Sequence, residues 1–161
     1  MKINVLHIVG GSTNNGSFKG ANILHQALLD LNINSILVND SQKSVKEKAE
    51  DPKLKNITFI EFSFFEKILK NLYIFLEKIL KSLILHSPRE TFTFGLLGSD
   101  ITKIKGYEEA DVIHIHWLGE GFIKVSSLSK INKPVIWTMR DMWAFTGGSH
   151  YTMDFQKYET S

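Results

Sequence analysis

Hydrophobic and polar positions divide this chain into short apolar runs alternating with amphipathic stretches. Residues Ile3 to Val9 (INVLHIV) form a β-branched, mostly apolar run that stops at Gly10-Gly11, the pattern of a buried strand feeding a tight turn. The polar residues 12–17 follow. Ala21, Leu24, Ala27, Leu28 and Leu31 then recur at helical spacing and predict a helix from about Lys19 to Leu31. Ser35 to Val38 reads as a second strand, so the first 38 residues spell strand–helix–strand, the unit of a parallel sheet. Residues 41–56 are polar and lysine-rich, a loop or an exposed helix, and Ile57 to Phe62 fits a strand. Phe64 to Leu85 is strongly helical by pattern, closed by Ser87-Pro88. After an irregular stretch (86–106), Asp111 to Trp117 (DVIHIHW) predicts a strand, Gly121 to Ile131 a short helix, and Pro134 to Met139 a last strand. Residues from Arg140 onward read as a loop around Gly147-Gly148. The expected fold is α/β: a Rossmann-like parallel sheet with helices on both faces.

Composition narrows the partners. The 161 residues suit one domain, and a net charge of +2 with no block of like charge gives no reason to expect nucleic acid. Zero cysteines exclude disulfides and thiolate metal sites and suit a reducing, cytoplasmic setting. Met1-Lys2-Ile3-Asn4 runs straight into the first strand, so no signal peptide is expected. No apolar run reaches the roughly 18 residues that a spanning helix needs.

In parallel sheets, ligands bind at the carboxyl ends of the strands. That rule selects Gly10 and Gly11 after the first strand, His116 and Trp117 at the end of a later one, and Thr138, Arg140 and Asp141 after the last. Gly10-Gly11 either lets backbone amides approach a phosphate or forms a tight turn. Neither a G-x-G-x-x-G nor a P-loop pattern is present, which disfavours a nicotinamide-dependent reductase or P-loop enzyme. His114 and His116 share a strand face, and with Asp141 they are a metal alternative to a pair of hydrogen-bonded core rings. His7 and His25 lie inside elements and read as structural. Arg140-Asp141 is either an internal ion pair or an arginine that grips a phosphate or carboxylate while Asp141 orients it. Trp143, Phe145 and Tyr151 form either a sugar-stacking wall or a small satellite core.

The helix over 64–85 carries Leu69, Leu72, Leu76, Ile79, Leu80 and Leu83 as an apolar stripe, with Lys67, Lys70, Lys78 and Lys81 opposite. Packing of the stripe on the sheet is the plain expectation. Docking at an anionic membrane surface is the other.

The stretch ADVIHIHWLGEGF, followed by KPVIWTMRDMWAFTGGSHY, closely resembles bacterial family 4 glycosyltransferases of the colanic-acid and exopolysaccharide type. Gly20-Ala21, Leu24-His25 and Ala27-Leu28 resemble their first helix, and FGLLGSD (94–100) their link into the histidine strand. The likeness is loose over 41–93 and close over 110–159. It implies that residues 1–161 are the N-terminal, acceptor-side half of a GT-B fold, with a C-terminal nucleotide-sugar domain beyond. It also implies metal-independent, retaining transfer from a nucleotide-sugar to a glycan or lipid-linked acceptor, in the cytoplasm or at the inner face of the cell membrane, with no cofactor. On the same basis His116, Arg140, Asp141 and His150 are the catalytic candidates. Gly10, Gly11, Lys19, Trp117, Gly147 and Gly148 are the substrate-binding ones. Arg140 stands where many relatives have a histidine, and Ser149 and Phe155 stand where they often have cysteines. This half alone is expected to be inactive. The alternative is a non-enzymatic binding or membrane-docking module.

Overall fold

The computed structural model describes residues 2–40, 54, 56–60, 63–84, 92–119 and 121–151. Five strands, β1 (Asn4–Val9), β2 (Asn34–Asn39), β3 (Ile57–Phe59), β4 (Val112–Trp117) and β5 (Val135–Trp137), form one sheet in the order β3-β2-β1-β4-β5. Every pairing is parallel. This is the Rossmann-like α/β architecture that the alternating pattern calls for. The chain runs outward from β1 to β2 and β3 on one side and from β4 to β5 on the other. The order therefore reverses between β1 and β4, which is where such sheets open a crevice.

Side-chain alternation sorts the two faces of the sheet. Leu6, Ile8, Val38, Ile113 and Ile115 are buried on one face with Ile101, Ile104, Phe122 and Ile123 from the connections. On the other face Val9 and Leu37 pack with Phe18 and Ala21 of helix α1 (Gly16–Asp30). The helix begins at Gly16, three residues before the predicted Lys19, and Phe18 in that added segment is buried with Ala21. The predicted helix over 121–131 is instead an extended approach followed by a 3-10 segment at Val125–Lys130. Ser127 explains the difference. Its buried hydroxyl donates to the Lys124 carbonyl and accepts from Ile101 N–H, so it competes with the bonds an α-helix needs. The loop after Arg140 contains a one-turn helix, α3 (Trp143–Thr146), ended by Gly147 in the left-handed conformation.

Helix α2 (Phe64–Ile84) exists as the periodicity predicts, but it packs the other way round. Tyr73 is its buried residue among those described. Lys70 reaches Asp40 at 2.5 Å, and Glu77 accepts the Phe94 N–H at 2.6 Å. The stripe Leu69, Leu72, Leu76, Ile79, Leu80 and Leu83 faces outward, 40% to 78% exposed, so core packing of this stripe is corrected. The polar loop 41–53, the closing Ser87-Pro88 and Phe155 fall outside the described residues.

Candidate functional site

All five strands point their carboxyl ends to one edge, and the selected residues follow them there. Gly10 and Gly11 leave β1 at the crevice, and β4 ends opposite them at Trp117. Between Ile8 and Val9 the β1–β4 register shifts: Ile8 pairs with Ile115 and Val9 with Trp117. His116 is thus the extra residue of a bulge, and by ordinary alternation its ring stacks on that of His114, 4.2 Å between centroids.

The glycines have defined roles. A Cβ on Gly10 would lie 2.8 Å from the Phe122 ring, and Gly11 has φ +81°. Both amides are already used: Gly10 N–H donates to the Trp117 carbonyl at 2.8 Å and Gly11 N–H to Asp40 Oδ1 at 2.7 Å. The tight-turn reading therefore holds, and the amide-cradle reading lacks its donors. The Trp117 ring lies across Gly11 and Gly119, where a Cβ would come within 3.0 and 2.7 Å of it.

Arg140 and Asp141 diverge, so they are not an ion pair with each other. The Arg140 guanidinium rests on Gly20 of α1, where a Cβ would come within 2.5 Å of Nη1, and its Nη2 donates to His116 Nδ1 at 3.3 Å. Asp141 accepts from Trp117 Nε1 (3.1 Å), from Trp143 N–H (3.1 Å) and from His150 Nδ1 (2.5 Å). His150 Nε2 in turn faces Thr93 Oγ1 at 2.7 Å. Sequence reasoning missed Thr93, which sits in the irregular stretch with no motif to mark it. The Asp141–His150–Thr93 chain has the connectivity of a hydroxyl–imidazole–carboxylate relay. Thr93 and His150 are only 4% and 2% exposed, so a substrate reaches that hydroxyl only if the loop moves. In this arrangement the chain ties residues 92–95 to the loop after β5.

Beneath Arg140 lies a buried layer of imidazoles. His7 Nδ1 and His116 Nε2 are 3.1 Å apart, and His114 Nε2 meets Thr138 Oγ1 at 2.7 Å. His25 Nδ1 meets Ser35 Oγ at 2.7 Å. Burial pushes the His7 and His116 constants down from 6.5 to about 3, helped by their imidazole neighbours. His114 is lowered too, by burial and then by the Arg140 charge. His7, His114 and His116 offer one nitrogen each within 4.8 Å of one another, so neutral rings there could take a cation. Asp141 is not part of that group, which corrects the metal alternative drawn from spacing. With His7 and His116 bonded to each other and Arg140 alongside, the arrangement fits a hydrogen-bonded polar core.

The remaining candidates separate. Lys19 is exposed in a surface groove of about 740 Å³ along α1, lined also by Asn14, Asn22 and Gln26, which shares no lining residue with His116. Gly147 ends α3, and Gly148 gives close approach to Phe92, whose ring would lie 2.2 Å from a Cβ there. Trp143 belongs to the core and donates to the Thr93 carbonyl at 2.8 Å, whereas Phe145 and Tyr151 are exposed. A small recess remains between His116, Trp117, Met139, Arg140 and Asp141. The class defined by fold is a Rossmann-like parallel α/β domain with a polar, arginine-topped strand edge. Comparison with family models, curated proteins and solved structures found no match.

Proposed function

We propose that this domain is the acceptor-side half of a family 4, GT-B glycosyltransferase that works with a nucleotide-sugar domain across the crevice. The observation that supports it best is the meeting of Trp117, Arg140 and Asp141 around one recess at the strand edge, from the two stretches that carry the resemblance. Arg140 is exposed, held in place by Gly20 and His116, and pairs with no carboxylate among the described residues. A guanidinium so placed suits a departing diphosphate or an acidic acceptor, as preorganised charge rather than as a metal would supply it. His116 positions Arg140 from below. Asp141 and His150 position Trp117, whose half-buried ring offers a face to a sugar. In this reading the reaction is retaining transfer to a glycan or lipid-linked acceptor.

The experiment is sugar transfer from a panel of nucleotide-sugars by the protein joined to its nucleotide-sugar domain. Arg140→Ala should lower turnover about 100-fold, the usual worth of one preorganised donor. The 161-residue chain alone should transfer nothing, because half a cleft cannot align donor and acceptor. Robust transfer by the chain alone, or unchanged kinetics in Arg140→Ala, would overturn the reading. The outward face of α2 favours the second reading, a docking module without catalysis, which a complete absence of transfer by the joined protein would support.

A further inference from the structure

We infer that α2 is an in-plane membrane-docking helix whose outward face enters an anionic bilayer surface. This inference does not rest on the glycosyltransferase reading. Phe64, Phe65, Ile68, Leu69, Leu72 and Phe75 begin an apolar face that continues through Leu76, Ile79 and Leu80 to Leu83, each at least 40% exposed. The helix holds to the domain by its other side, through Tyr73, the Lys70–Asp40 pair and the Glu77–Phe94 bond. An amphipathic helix normally buries its apolar side and shows water its polar side. Here the tether is largely polar and the apolar side has no partner among the described residues. A helix of 21 residues presents that side along about 31 Å, as a convex ridge.

The charges choose the occupant. Lys67 and Lys78 are exposed on one border of the apolar face, eleven residues and so about three turns apart. Glu77 is turned inward onto the Phe94 amide. An apolar ridge bordered by lysines matches hydrocarbon below and anionic headgroups beside it. A second copy fits less well: in a two-fold antiparallel pair the lysine border would meet itself, like charge against like. A groove of about 440 Å³ runs between α2 and the segment 97–99, walled by Leu69, Leu72, Tyr73, Leu76 and Leu97, so acyl chains have a recess to enter. The helix is also coupled to the candidate site. Lys70 bonds Asp40, and Asp40 holds the Gly11 amide at the crevice. Docking would therefore bring the strand edge close to the lipid surface.

The test is co-sedimentation of the 161-residue chain with vesicles of phosphatidylcholine, with and without phosphatidylglycerol, at low and high salt. Binding is expected on the anionic vesicles at low salt, weakened by salt. Lys67→Gln with Lys78→Gln should weaken it roughly 30-fold, about fivefold per lysine. Phe65→Asp with Leu83→Asp should abolish it while the melting temperature and circular dichroism stay unchanged, since both side chains are largely exposed. Phe75→Trp adds a fourth tryptophan, and the emission it adds over the parent should shift to the blue on anionic vesicles. Absence of sedimentation on anionic vesicles at low salt by the folded chain would overturn the inference. So would a stable dimer dispersed by Phe65→Asp and Leu83→Asp with no vesicle binding, or an aspartate variant that binds as tightly as the parent.

Discussion

Mild acid should destabilise this domain well before its carboxylates titrate, and the buried imidazoles set the window. His7 and His116 have unfolded constants near 6.5 and folded constants near 3, because burial disfavours the charged ring. Between those values the unfolded chain binds protons that the folded chain refuses. Stability is therefore full above about pH 6.5 and falls as pH drops through it. At about pH 5 each ring costs about 2 kcal/mol relative to pH 8, and the two together about 4 kcal/mol. A domain of this size is stable by only about 5–15 kcal/mol, so the effect is large. His25 and His114 are shifted in the same direction and add to it. Asp100, held well below the usual carboxylate range by Lys130 and Thr102, loses its contribution only below about pH 4, in a separate window. The assay is urea unfolding at a series of pH values between 8 and 5, followed by tryptophan fluorescence and circular dichroism. The stability slope should reach at least about 2.7 kcal/mol per pH unit, two protons from His7 and His116, in the lower part of that range. His7→Gln, which leaves an amide facing His116, should remove about one of those protons. A midpoint constant down to pH 5, with loss beginning only below pH 4, would refute desolvation of the histidine layer.

Two substitutions separate stability from the candidate site. Gly20→Ala places a methyl against the Arg140 guanidinium, the far end of a flexible side chain. The fold should be unchanged or up to about 1 kcal/mol more stable, as expected for alanine in a helix. Turnover of the joined enzyme should nevertheless drop as Arg140 is displaced, and thermal melting beside steady-state kinetics checks both. Gly148→Ala combines φ +150° with a methyl 2.2 Å from the Phe92 ring, so a loss of about 1–3 kcal/mol is expected in chemical denaturation.

Much of the fold was legible in the sequence because its signals are local. INVLHIV before Gly10-Gly11, the 3.6-residue period of α1 and the β-branched DVIHIHW each state an element without reference to the rest of the chain. A parallel sheet then follows from alternation, and the strand-end rule placed Gly10, His116, Trp117 and Asp141 at one edge. What remained was decided by contacts between distant segments. Periodicity states that α2 has an apolar side but not which side the body holds; Asp40, Phe94 and Gly121 lie far from it in sequence, and they hold the other one. Adjacency suggested an Arg140–Asp141 pair, yet neighbouring residues at a strand end point apart, and Gly20 and His150 supplied the partners. The third histidine beside His114 and His116 is His7, brought there by the β1–β4 register, which no spacing rule contains. Local period is written in the order of residues, whereas the face a helix buries and the partner a charge finds depend on long-range packing.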